Sequence, residues 1–235
     1  MAKEKKELTL RFIGDPVLNQ VAKPVEKIDD SLVTLAEKML QMMYDSNGLG
    51  LAAPQAGVSL RMFVLDIEPP EDEEGHPLPV NSPGEIQLLP QMPMAFINPE
   101  VTPIGTEESD YDEGCLSVPK LYASVRRPAK VMLKATLLNG KEISIECGGL
   151  LARAIQHEND HLDGVVFVQR LEDEPLESIK KGLDKILKKN GRSNYKLKRL
   201  NKICCFSVHL VRCSVVFLLF LSLQSGIHSV HSFIC

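Results

Sequence analysis

The sequence predicts an α+β fold, with mostly antiparallel sheets around one central helix. Three observations carry that prediction. The clearest strand pair, residues 131–137 and 142–146, is joined across Asn139-Gly140, a dipeptide suited to a tight antiparallel hairpin. Helical periodicity is confined to three stretches, residues 32–45, 150–162 and 175–189. The strand-like runs precede or separate these helices and do not alternate with them, as a parallel β-α-β sheet would require.

Taken in order, residues 8–13 read as an extended segment, closed by the turn residues Gly14-Asp15-Pro16. Asp29, Asp30 and Ser31 offer helix N-caps, and Leu32, Leu35, Met39 and Met42 then recur at helical spacing. Asn47-Gly48 ends that helix, because both residues tolerate left-handed backbone. RMFVLDI at 61–67 is a strand. Residues 68–93 hold an EDEE run and seven prolines, which predicts an exposed insertion without helix or core strand. Phe96-Ile97, residues 101–104 and residues 124–126 are shorter strand candidates. Gly148-Gly149 opens the second helix, and Asp163-Gly164 ends it. In the last helix Leu176, Ile179, Leu183, Ile186 and Leu187 share a face.

Composition narrows the class. The chain has 235 residues, 44% hydrophobic and 25% charged, which suits a globular protein with a real core and excludes collagen-like or wholly disordered chains. No run of about 18 apolar residues lacks a charge, which excludes an ordinary polytopic membrane protein. Charge is divided unevenly. Residues 180–202 hold ten Lys or Arg against one acid, a local net of +9, whereas residues 1–179 hold 16 basic and 30 acidic residues. A body that acidic does not coat DNA, and the basic segment suits either a polyanionic partner or a solvated amphipathic helix with a fraying Lys-rich end. Cys115 and Cys147 alone precede residue 200, which is no disulfide framework and fits a reducing compartment. The start, MAKEKKELTL, has no apolar core of a signal peptide, so a cytoplasmic location is expected. Residues 203–235 carry one formal charge, Arg212, and the run VVFLLFLSL. They read either as one marginal membrane anchor or as a tail outside the fold, and the abrupt change in composition favours the tail. The expected layout is a body over residues 1–190, a basic extension over 191–202 and this tail.

The chemistry concentrates in three clusters. His157-Glu158-Asn159-Asp160-His161 is an H-E-x-x-H motif within a predicted helix, so both imidazoles share a face and can hold one metal ion. Glu158, beside the first of them, is placed to act as a general base. A third ligand separates the enzyme classes. The metzincin pattern requires a histidine where Phe167 stands. A thermolysin-like site would draw on Glu172, Glu174 or Glu177, in a charged stretch. Upstream, Cys115 lies in EGCLS, where Gly114, Ser117 and Pro119 predict a turn; a thiolate with two imidazoles leaves an open catalytic position. The third cluster, GLGLAAPQ at 48–55, matches G-x-G-x-x-A, but it follows a helix and contains Pro54, against a dinucleotide loop. A glycine-lined backbone edge for a peptide suits it better, with Gln55 as an amide donor to an oxyanion.

In this order, GLGLAAPQ, EGCLS and QHENDH resemble the three motifs of the peptide deformylases, G-x-G-x-A-A-x-Q, E-G-C-x-S and Q-H-E-x-D-H. The resemblance spans residues 8–187 and implies a hydrolase that removes formate from the N-formylmethionine of nascent polypeptides. It implies that Cys115, His157 and His161 hold the metal, natively Fe²⁺, with Zn²⁺, Ni²⁺ or Co²⁺ able to replace it. Glu158 would take a proton from the attacking water and later give one to the leaving amine. Gln55 and the Leu116 backbone N–H would stabilise the oxyanion, while Gly48 and Gly50 would border the substrate backbone. Glu113, Arg153 and Asp160 would either orient ligands or serve as ordinary surface ion pairs. By the same analogy the basic segment 180–202 would meet the ribosome. The insertion at 68–93 and the tail after residue 202 depart from the family pattern. An H-E-x-x-H metallopeptidase and a catalytically silent, ribosome-associated metal module are the alternatives.

Overall fold

The computed structural model describes residues 8–72, 74–192 and 195–200. Among these described residues, seven strands form two antiparallel sheets, as the sequence predicts. The larger has the order β1 (Gly50–Ala52), β2 (Met62–Leu65), β3 (Met94–Pro103), β6 (Val131–Thr136), β7 (Glu142–Cys147). The smaller pairs β4 (Glu108–Cys115) with β5 (Val118–Pro128). The described residues also form the α-helices α1 (Asp30–Asp45), α2 (Pro83–Leu88), α3 (Gly149–Leu162) and α4 (Asp173–Lys189). The predicted hairpin across Asn139-Gly140 is β6–β7, paired from Val131↔Cys147 to Thr136↔Glu142.

The element ends follow local chemistry. Asp29 caps α1 by accepting from the backbone N–H groups of Ser31 and Leu32. At the other end Asn47 takes a left-handed φ of 57°, and Asn47 and Gly48 donate to the carbonyls of Tyr44 and Met43, a Schellman closure. α4 begins at Asp173, with Asp173 and Glu174 in its first turn and Lys188 and Lys189 in its last, complementing the helix dipole at both ends.

Two expectations need correction. The proline-rich stretch 68–93 contains α2, whose residues Gly84, Glu85 and Leu88 are buried with the preceding Ser82. Pro83 occupies the first helical turn, where a missing N–H costs nothing, and Ser82 with Glu85 forms a capping box. Phe96-Ile97 and residues 101–103 belong to one strand, β3, interrupted by a register shift between Ile97 and Glu100, and Ile104 lies just past its end. Asn98 sits there at φ 48°, so the side-chain alternation breaks while the strand continues.

α3 is the centre of the molecule. Eleven of its residues are buried, among them Arg153, Gln156, His157, Glu158, Asp160 and His161. One side, with Leu151, Ala154, Ile155 and Leu162, joins a core cluster containing Phe63, Leu65, Phe96 and Leu133. Each such side chain contributes roughly 1.5–3 kcal/mol on burial. The other side meets a second cluster through Cys115, Leu116, Val168 and Phe167. The histidines therefore lie between two packed layers. The start of α3 is tied to α2: Gly148 N–H donates to Ser82 Oγ at 2.9 Å. Gly149, at φ 56°, passes so close to Glu85 that an added Cβ would lie 2.4 Å from Oε1.

Candidate metal centre and active site

Cys115, His157 and His161 converge from two elements. Cys115 ends β4, and Leu116-Ser117 make the tight turn into β5, as the flanking Gly and Ser predict. The histidines stand one helical turn apart on α3, with ring centroids 5.2 Å apart. One ligand atom from each residue lies within 4.8 Å of the others, and all three residues are buried. Cys115 Sγ is 3.3 Å from His161 Nε2. Phe167, at the site of the absent metzincin histidine, stacks on His157 with centroids 6.1 Å apart. Glu172, Glu174 and Glu177 are exposed and take no part.

These residues fit a divalent cation. His157 Nδ1 is 2.8 Å from Glu113 Oε2, so this nitrogen carries the proton toward the carboxylate. Nε2, buried, is left facing the other two candidate ligands, Cys115 and His161. The surroundings favour positive charge. Burial works against protonation of His157, yet hydrogen bonds to Cys115 and Glu113 push it up to about 10. A thiolate and two imidazoles with one position open make a catalytic donor set.

A buried ionic network stands behind the candidate ligands. Arg127 donates to Glu113 through Nε and Nη2 at 2.6 and 2.7 Å, and to Asp160 through Nη1 at 2.7 Å. Arg153 Nη1 donates to Glu113 at 3.1 Å and to the carbonyl of Val125 at 2.9 Å. Arg170 donates to Asp160 from the protein's edge. Burial opposes ionisation of Glu113, but the Arg127 guanidinium holds its carboxyl well below the usual range; Asp160 is lowered by Arg127 and Arg170 in the same way. Glu113, Arg153 and Asp160 are thus interior groups, not surface ion pairs. Arg127 and Arg170 were invisible in the sequence, because nothing in VRRP or VQRL separates them from ordinary surface arginines.

The remaining site residues stand close by. Gln55, fully buried after β1, accepts the Ala52 N–H at its Oε1, 2.7 Å away. That bond fixes the amide, and Nε2 lies 3.3 Å from Ser117 Oγ and 3.5 Å from Cys115 Sγ. Gly50 begins β1, the edge strand of the larger sheet. A Cβ at Gly50 would lie 2.6 Å from Glu158 Oε1 and 2.8 Å from Leu65 Cδ2, so the glycine makes room for Glu158. The Gly48 N–H is used in closing α1. No βα turn follows GLGLAAPQ, which leaves no dinucleotide loop.

Most of the chain is similar to known proteins. The polypeptide deformylase family model matches residues 8–176. A peptide deformylase of Novosphingobium aromaticivorans is 44% identical over 179 residues, covering 75% of this chain and 95% of the relative. One from a Picosynechococcus strain is 44% identical over 167 residues, covering 71% and 80%. Among solved structures, a plant peptide deformylase superposes with a TM-score of 0.67 at 30% identity, covering 85% of this chain and 100% of that one. The Synechococcus elongatus enzyme in complex with actinonin gives 0.61 at 37% identity, covering 81% and 88%. The chain belongs to the polypeptide deformylase family.

Proposed function

We propose that Cys115, His157 and His161 hold the metal on which the family's reaction depends, with Glu158 as the proton carrier. The reaction is hydrolytic removal of the formyl group from N-formylmethionine at the start of new polypeptides. The observation that carries the assignment is the convergence of one thiol and two imidazoles, all buried, within 4.8 Å. When bound, the ion supplies Lewis acidity that makes water a nucleophile near neutral pH.

The chain's own residues supply the rest. Glu158, beside its neighbouring ligand and backed by Gly50, takes a proton from the attacking water and returns one to the departing amine. Gln55, its amide locked by the Ala52 N–H, presents Nε2 to the oxygen that gains charge, and the Leu116 N–H in the β4–β5 turn is the second donor. Gly48 and Gly50 border the substrate backbone, which adds along the free edge of β1. Fe²⁺ is the proposed resident ion, with Zn²⁺, Ni²⁺ and Co²⁺ able to occupy the same donors. Metal counting on the purified protein and on Cys115→Ser tests the site: one ion per chain and weakened retention in the variant are expected. Equal retention would point to the H-E-x-x-H peptidase reading, which needs no thiolate.

The catalytic unit is residues 1–190, with 191–202 as a basic extension and 203–235 outside it; this last segment lies outside the described residues. Among the described residues no helix is long and apolar enough to cross a membrane. The proposed setting is the cytoplasm, where the +9 segment 180–202 meets ribosomal polyanion.

A further inference from the structure

Residues 195–200 fold back onto the body beyond the stretch that the family model matches. The half-buried Tyr195 and Leu197 pack against the core cluster that contains Cys115 and Phe167. The anchor is Gln169, only 4% exposed, at the end of the 3-10 turn Phe167–Gln169. Its Nε2 donates to the Lys198 carbonyl at 2.7 Å, its own carbonyl accepts from the Leu200 N–H at 3.2 Å, and its Oε1 accepts from the Val166 N–H at 2.8 Å. Arg199 donates from Nη2 to the Leu171 carbonyl at 2.8 Å and pairs with Asp173. Both partners of that ion pair are largely exposed, so it adds little.

The clamped turn reaches the metal centre by two routes. Phe167, at its start, stacks on His157. Arg170, just after it, holds Asp160, which holds Arg127, which holds Glu113, the partner of His157 Nδ1. We propose that residues 195–200 are a strap that fixes this turn through Gln169, and that Gln169 is thereby a positioning residue for the metal ligand His157. The proposal rests on the metal-site reading above. The side-chain amide is what the role requires: it donates to the strap and accepts from the turn at once, which neither a carboxylate nor an apolar side chain can do.

The test uses the full chain loaded with Co²⁺. Gln169→Glu keeps the acceptor for the Val166 N–H but replaces the donor to Lys198 with an oxygen; Arg199→Ala removes the exposed link and spares the interior. Amide exchange across 166–171, Co²⁺ release to a chelator, and kcat against KM are measured in each. Expected in Gln169→Glu are about ten-fold faster exchange, about ten-fold faster ion release, and a lower kcat at unchanged KM. Arg199→Ala moves all three the same way but less, and Arg199→Lys recovers part of the loss. Unchanged exchange in both variants overturns the strap. Faster exchange with wild-type ion release and kcat overturns the positioning role. A wild type that takes up no Co²⁺ sinks the metal reading instead, and the exchange comparison still decides the strap.

Discussion

Glu158 and Gly50 form one unit, a carboxylate and the space that admits it. Glu158→Ala is expected to abolish formate release while one ion per chain stays bound, as metal counting beside an activity assay shows. Gly50→Ala is expected to lower kcat and to destabilise by about 1–3 kcal/mol, because the new methyl cannot occupy space held by Glu158 Oε1 and Leu65 Cδ2; a denaturant midpoint and a rate measure both. At this scale the motif residues were legible. The residues named by H-E-x-x-H and by EGCLS, His157, His161 and Cys115, come within 4.8 Å of one another in the fold. Arg127 was not legible, because its partners Glu113 and Asp160 lie 14 and 33 positions away. Only the fold brings these charges together and removes water from them.

Among the elements, the sequence foretold those whose periodicity is one-sided, the hairpin β6–β7 and helices α1 and α4, and it foretold α3, buried on both sides, through the glycines that bound it. β4 was missed because its first five residues are exposed and polar, so no alternation marks them. α2 was missed because its proline counted as a breaker, when at the first turn it is permissive. The β4–β5 sheet and α3 are joined by the Glu113–Arg127–Asp160 bridges, both acids fully desolvated or nearly so. Arg127→Met is expected to cost about 3–5 kcal/mol, since it leaves two buried carboxylates short of a partner. The pH dependence follows from the same pair. Both carboxyls titrate lower in the folded protein than in the unfolded chain, so the unfolded state binds more protons as acid is added. Their stabilisation is present above roughly pH 4 and fades as pH falls through the folded values. Denaturant midpoints should hold from neutrality to about pH 5 and drop below that, and the drop should be shallower in Arg127→Met, whose buried carboxyls no longer titrate so far below their unfolded values. An acid profile identical in the two proteins would show that the network does not hold these carboxyls down.

The whole molecule is acidic over residues 1–179 and basic over 180–202. Deleting residues 203–235 is expected to leave turnover unchanged, whereas a dead truncation would place that tail in the working unit. Ribosome binding should weaken steeply between low and moderate salt, in cosedimentation, if the basic segment meets polyanion. Deformylation is proposed to be the work of the Cys115, His157, His161 and Glu158 constellation. Its most direct test is formate release from a formyl-Met-Ala-Ser peptide by anaerobically purified enzyme of counted metal content, beside Glu158→Ala. Rapid release by the wild type and none by the metal-loaded variant is the predicted result. No release from wild-type protein holding one ion per chain, or undiminished release by the variant, would contradict it.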